Sequence, residues 1–332
     1  MVNKDIGYSL WLDFIERDFL KTQFSELIEK GIINGATSNP AIFSNAIITS
    51  PAYKEQLETL KDKTPKEKYE ALAIEDIKLA AQLLRPLYDK GNDGFISLEV
   101  DPFLCNDSKA TVAEAKRLFK AVGEPNVMMK IPATKAGYSA MRELLATGIS
   151  VNATLVFSLS QARKCLKAMK KGLAIFENSG GRRAEGVISI FVSRFDRELD
   201  DKLKALGISG TKTGIYNAAR IYRVIEKERV PNVRALFAST GVKEPSDLPK
   251  DYYIRELYGR HCINTAPLAT ILEYIKTPQD SETLPLGIKV TKPYFEKLEA
   301  NGIDMHGVYD KLLDEGLKAF EDSFAKMLDS LK

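Results

Sequence analysis

Along this chain, short apolar runs rich in β-branched residues alternate with longer stretches whose apolar positions recur at helical spacing, the pattern of repeated strand–helix units around a parallel sheet. Eight runs are expected as strands: 8–13 (YSLWLD), 32–39 (IINGATSN), 94–101 (GFISLEVD), 126–133 (NVMMKIPA), 148–157 (GISVNATLVF), 186–193 (GVISIFVS), 232–239 (NVRALFAS) and 251–257 (DYYIREL). Helix candidates follow them, such as SKATVAEAKRLFKAVG after the third and LSQARKCLKAMKKG after the fifth. Eight consecutive units predict an α/β protein built as one closed (β/α)8 barrel, the TIM-barrel architecture, rather than an open sheet.

The connection between the second and third runs is too long for one helix. It contains SPAYKEQLETLKD and TPKEKYEALAIEDIKLAAQLLRPLYDKG, which predict two or more extra helices there. VYDKLLDEGLKAFEDSFAKMLDSLK at the C-terminus predicts a long amphipathic helix able to fold back over the barrel. No Pro/Ser-rich linker divides the chain, so residues 1–332 are expected to form a single domain.

Parity sorts the residues of each barrel strand, because alternate side chains point inward and the others meet the surrounding helices. In the third run Ile96, Leu98 and Val100 share one face and Ser97, Glu99 and Asp101 the other. In the fifth, Ile149, Val151, Ala153 and Leu155 are expected to pack outward, opposite Ser150, Asn152 and Thr154. The first run sets Leu10 and Leu12 against Ser9, Trp11 and Asp13. The interior therefore collects carboxylates, amides and hydroxyls, and most of them lie late in their strands, at the carboxyl end where barrels of this kind place their chemistry. Leaving such groups buried and unpaired costs about 1–3 kcal/mol each.

Lys130 in NVMMKIPA shares the inward face with Met128, while Met129 and Ile131 point outward. Desolvation disfavours an ammonium, and the neutral amine that remains can attack a carbonyl and form a Schiff base. A Schiff base withdraws electrons from the neighbouring carbon–carbon bond and so permits aldol cleavage without a metal. A lysine paired with an internal carboxylate for structure alone is the competing reading. Lys289 in LGIKVTKP also lies among apolar residues, but it falls after the eighth run.

Composition narrows the chemistry further. The formal charge is +3 with acidic and basic residues interleaved, which organises no field for nucleic acid or a membrane surface. The densest basic stretch, Arg163 to Lys171, has Leu166 and Met169 at helical spacing and is expected as a solvated helix face. The three cysteines are far apart and show no metal-ligand spacing, which suits a reducing cytoplasm. No membrane span or secretory leader is expected. With only His261 and His306, neither a histidine triad nor a multi-histidine metal site is expected, and acid–base work falls to Asp13 and Glu99. The glycine-containing 207–214 (GISGTKTG) lacks the ending of a phosphate loop and is expected to open a helix.

With these segments in hand, the chain resembles the transaldolase family, in its longer-chain bacterial branch. GATSNPAIF (35–43) is similar to the family's first signature and VMMKIPATKAG (127–137) to the second, which carries the Schiff-base lysine. SLWLDFIERD, SLEVDP, GISVNATLVFS, SIFVSR, FASTGVK, INTAP and EGLKAFEDSF extend the resemblance from end to end. It implies transfer of a dihydroxyacetone unit between phosphorylated sugars, from sedoheptulose 7-phosphate to glyceraldehyde 3-phosphate, with no cofactor.

By the same resemblance Lys130 is the nucleophile, Asp13 the acid–base for carbon–carbon cleavage, and Glu99 with Thr154 the holders of a proton-shuttling water. Thr37, Asn39, Asn152 and Ser189 would contact substrate, and Arg194 with Ser239 the phosphate. Where relatives have an arginine two positions after this serine, the chain reads Gly241, with Lys243 as the candidate replacement. Phe103 stands where many relatives have arginine. A lysine aldolase acting on another sugar phosphate, or a catalytically silent binding barrel, stays open at this point, as does homo-oligomerisation.

Overall fold

Seven of the eight expected strands form where the apolar runs predict them. The computed structural model describes residues 2–181, 184–243 and 246–332. Its strands are β1 Ser9–Asp13, β2 Gly35–Thr37, β3 Ile96–Glu99, β4 Val127–Pro132, β5 Val151–Val156, β6 Gly186–Phe191, β7 Val233–Ala238 and β8 Cys262–Ala266. They are parallel and close in chain order, with β1 against both β2 and β8, into the (β/α)8 barrel the pattern predicts.

The eighth expectation is corrected. Residues 251–257 contain a helical turn, Tyr252–Glu256, and the strand is the next segment, Cys262–Ala266. The helical turn carries the i,i+4 ion pair of Arg255 with Asp251 at 2.6 Å, and the Tyr253 hydroxyl donates to Asp196 at 2.8 Å.

Parity otherwise holds. Leu98, Met129, Ile131, Val151 and Ala153 join the apolar shell between strands and helices, while Trp11, Met128, Val187, Leu236 and Ile263 fill the barrel interior. Trp11 fits because its β2 neighbour is Gly35: a Cβ there would lie 2.5 Å from the indole ring. The indole Nε1 donates to Asp93 at 2.8 Å, which satisfies its polar edge inside the barrel. Leu155 departs from its expected outward direction. Its φ is 56°, the β5–β6 register shifts between Ala153 and Val156, and the side chain packs with the inner cluster beneath the C-terminal helix. A bulge of this kind re-aims a side chain next to a site.

The long β2–β3 connection folds as helices Pro40–Thr49 and Pro65–Asp89 with two short turns, Pro51–Tyr53 and Lys54–Thr59, between them. A reciprocal cap starts the longer helix: Thr64 accepts from the Glu67 N–H, and Glu67 from that of Thr64. The C-terminal helix, Met305–Ser330, lies over the carboxyl end of the barrel with Gly316, Phe320 and Phe324 buried. Phe324 meets Tyr69 of the connection edge-on at 5.2 Å, so connection and C-terminal helix pack as one roof.

Lys289 is exposed in the helix Ile288–Ala300, which removes it as an interior lysine. The 207–214 segment leads into the helix Thr213–Glu228 as expected. The basic stretch is the exposed face of Leu159–Asn178, with Cys165, Leu166 and Met169 buried on the opposite side. Among the described residues no helix is long and apolar enough to cross a membrane.

Candidate active site

Register places the candidate residues side by side at the carboxyl end of the barrel. Glu99 of β3 aligns with Lys130 of β4, Lys130 with Asn152 of β5, and Asp13 of β1 with Thr37 of β2. Inward parity on neighbouring strands then brings an amine, two carboxylates, an amide and hydroxyls to one level.

Lys130 is only 5% exposed. Its Nζ donates to the Ser38 carbonyl at 3.0 Å and lies 3.4 Å from Glu99 Oε2 and 5.6 Å from the centre of the Phe320 ring. The contact with Glu99 is an ion pair and not an aligned hydrogen bond, so both Glu99 oxygens lack a hydrogen-bond partner among the described residues, as does Thr154 Oγ1 nearby. Burial pushes the Glu99 carboxyl up to about 7, against the lowering influence of the Lys130 charge. An acid poised there can take or give a proton at neutral pH.

Asp13 is shaped differently. Burial raises its carboxyl, and the Lys130 charge, the Thr37 hydrogen bond and then the Lys243 charge pull the other way. Thr37 Oγ1 donates to Asp13 Oδ1 at 2.6 Å, which leaves Thr265 Oγ1, 2.7 Å from it, as the donor to Thr37. This chain of hydroxyls fixes the carboxylate's direction.

A cavity of about 290 Å³ opens above these groups, with Asp13, Thr37, Asn39, Lys130, Ser189, Arg194, Ser239 and Lys243 in its wall. Eight of the eleven residues singled out from the sequence therefore face one space. Glu99, Asn152 and Thr154 stand behind the wall. Asn152 donates to Ser97 Oγ at 3.0 Å and accepts from Ser189 Oγ at 2.6 Å, so it holds Ser189 in place from below. Asn39 caps the helix Pro40–Thr49, its side chain accepting from the Ile42 N–H at 3.1 Å.

The far end of the cavity is cationic. Arg194, on the first turn after β6, stacks 5.3 Å from the centre of the Phe191 ring. Burial and then the charge of Arg197 lower its guanidinium from the ordinary value. Ser193 and Ser239 hydroxyls lie 2.9 Å apart beside it.

Comparison with known proteins gives the family. The Transaldolase/Fructose-6-phosphate aldolase family matches residues 10–331. A protein named transaldolase from Campylobacter jejuni is 46% identical over 332 residues, covering 98% of this chain and 99% of that one. Another from the same species is 53% identical over 272 residues, 80% of this chain and 82% of its own. A Helicobacter pylori transaldolase is 46% identical over 325 residues, covering 97% and 99%.

The chain belongs to the Transaldolase/Fructose-6-phosphate aldolase family.

Further residues that sequence reasoning missed also line the cavity. Arg197 lies one helical turn beyond Arg194 and lines the same cavity, a position that helical spacing alone could have suggested. Thr265 of β8 was hidden by the misplaced eighth strand. Phe320 and Ser323 descend from the C-terminal helix, whose docking no local pattern specifies. Phe103 is exposed on the turn after β3, 6.2 Å from Phe324, and touches none of the site groups.

Proposed function

We propose that the protein is a transaldolase that carries a dihydroxyacetone unit from sedoheptulose 7-phosphate to glyceraldehyde 3-phosphate, through a Schiff base on Lys130. The observation that carries this reading is the buried Lys130 amine, 3.4 Å from a carboxylate poised near pH 7, in the wall of a cavity that Asp13 also lines. Glu99 is the group able to take the ammonium proton and leave a neutral amine. That amine attacks the ketose C2 carbonyl. A water held by Glu99 and Thr154, whose orphaned oxygens call for one, delivers a proton to the C2 hydroxyl, which departs as water and leaves the iminium.

Asp13 then removes the C4 hydroxyl proton. The C3–C4 electron pair moves into the iminium, erythrose 4-phosphate departs, and the enamine stays on Lys130. The enamine attacks the incoming aldehyde, Asp13 returns its proton to the new hydroxyl, and hydrolysis releases fructose 6-phosphate. Asn39 and Ser189, the latter braced by Asn152, hold the hydroxyls of the retained three carbons, while Thr37 orients Asp13. Arg194, Ser239 and Lys243 receive the phosphate, a planar guanidinium being suited to two parallel hydrogen bonds. Keeping the enamine in a small cavity under Phe320 limits its loss to water.

The whole chain acts as one domain on this reading, because the C-terminal helix completes the roof of the site. Three buried free cysteines support a reducing, cytoplasmic setting. The test is a coupled assay with fructose 6-phosphate as donor and erythrose 4-phosphate as acceptor. Formation of sedoheptulose 7-phosphate is expected. Release of free dihydroxyacetone with no transfer product would instead mark a lysine aldolase.

A further inference from the structure

We propose that Thr265 is a positioning residue for carbon–carbon bond cleavage: by donating to Thr37 it holds the Thr37 hydroxyl on Asp13 Oδ1 and leaves Oδ2 as the oxygen that moves the C4 proton. The inference rests on the reading of Asp13 as the acid–base group at the C3–C4 bond. Cleavage needs a carboxylate with one oxygen free and aimed at the substrate. Asp13 lines the cavity, and its only hydrogen bond among the described residues is the one that Oδ1 accepts from Thr37 at 2.6 Å. Lys130 acts on Asp13 through its charge, its own ion pair and hydrogen bond being to Glu99 and to the Ser38 carbonyl.

Direction therefore comes from Thr37, and a hydroxyl can turn about its bond to carbon unless something stops it. Thr37 and Thr265 sit on the strands either side of β1, 2% and 3% exposed, with their hydroxyls 2.7 Å apart. Because the Thr37 proton goes to Asp13, the proton between the two threonines belongs to Thr265. A hydroxyl that accepts one hydrogen bond while donating another is held in rotation, and each link of such a chain strengthens the next. Both side chains are β-branched and stiff about their first torsion.

Thr265 is fixed from its other side as well. Its carbonyl accepts from Thr240 Oγ1 at 2.7 Å, the nearer of two acceptors for that hydroxyl, Asn264 Oδ1 lying at 3.0 Å. Thr240 is fully buried and follows Ser239 in the segment after β7. The relay thus runs from that segment through Thr265 of β8 and Thr37 of β2 to Asp13 of β1. Thr265 also lines the cavity, so direct contact with substrate is the competing role. The charges facing Asp13 are Lys130 of β4, Glu99 of β3 and Lys243 after β7, with Arg194 and Arg197 in the same cavity wall, and Thr265→Val leaves all of them in place.

The experiment is a rapid quench of the enzyme with fructose 6-phosphate and no acceptor, across pH 5 to 9. One arm reads the glyceraldehyde 3-phosphate released in the first turnover. The other reduces with borohydride and reads the Lys130 peptide by mass, where a six-carbon adduct precedes cleavage and a three-carbon adduct follows it. In Thr265→Val, total labelling of Lys130 is expected at the wild-type rate and at the wild-type half-saturating concentration. Release of glyceraldehyde 3-phosphate should slow about fivefold, the worth of one neutral hydrogen bond, with the adduct shifted toward six carbons. The acidic limb of the release rate should move to higher pH, because a less polarised Thr37 stabilises the Asp13 carboxylate less. Thr265→Ala should repeat this, and Thr265→Ser, which keeps the hydroxyl, should restore both rate and limb.

Wild-type release in Thr265→Val and Thr265→Ala would overturn the proposal, as would slowing with an unmoved acidic limb. A higher half-saturating concentration with release otherwise unchanged would make Thr265 a substrate contact instead. An unlabelled Lys130 in the wild type would overturn the Schiff-base reading itself, and with it this role.

Discussion

Gly316 sets the C-terminal helix against Leu155 and Arg194, the residue proposed to receive the phosphate, and Gly316→Ala tests what that approach does. A Cβ there would lie 2.8 Å from Leu155 Cδ2 and 3.1 Å from Arg194 Nη1. Carbon–carbon contacts relax at about 3.5–4.0 Å, so roughly 1 Å must be found. The helix must lift, or the Leu155 side chain and the Arg194 guanidinium must turn aside. Overpacking of this size costs about 1–3 kcal/mol, or about 2–4 °C in melting temperature for a chain this long. A loss of 1.4 kcal/mol in phosphate binding is about tenfold in affinity. The assay is steady-state transfer kinetics with fructose 6-phosphate, alongside thermal melting. KM for the phosphorylated donor should rise about tenfold. A melting temperature that falls while KM stays at the wild-type value would refute the reasoning that Gly316 and Arg194 together shape the phosphate end.

Other consequences are equally direct. Gly35→Ala drives a Cβ to 2.5 Å from the Trp11 ring and should cost at least about 1–3 kcal/mol by chemical denaturation; an unchanged midpoint would show that the indole has room to move. Asp196, buried and pushed up to about 7, binds its proton more tightly folded than unfolded. Its contribution is therefore present at low pH and lost as pH rises from about 4 through 7, and Asp196→Asn should flatten that part of a melting-temperature profile. If Lys243 stands in for the missing arginine, Lys243→Ala should raise donor KM about tenfold and Arg197→Ala less; the reverse order would assign the second phosphate cation to Arg197.

How much of this was legible follows from the physics of each element. Seven strands were readable because a parallel strand covered by helices is a short apolar run, and inward parity then delivered Lys130, Glu99 and Asp13. The eighth failed because 251–257 carries Tyr252, Tyr253, Ile254 and Leu257 among its charges while Cys262–Ala266 is short, and runs of that length do not distinguish a helical turn from a strand. Leu155 broke parity because a bulge changes direction without any sequence signal comparable to a glycine. Asn152 was placed on the right face and at the level of Lys130, but its amide is taken up by Ser97 and Ser189 rather than lining the cavity, which parity does not reveal. The roof residues Phe320 and Gly316 were visible only as positions on an amphipathic helix, whose partner surface is set by the whole barrel.

The central claim is that Lys130 is the covalent nucleophile. Borohydride reduction of the protein in the presence of fructose 6-phosphate, followed by peptide mass analysis, tests it most directly. A reduced sugar adduct on the peptide containing Lys130, absent without substrate and absent in a folded Lys130→Ala variant, is the expected result. An active enzyme with Lys130 unmodified, or with the adduct on another lysine, would contradict the account.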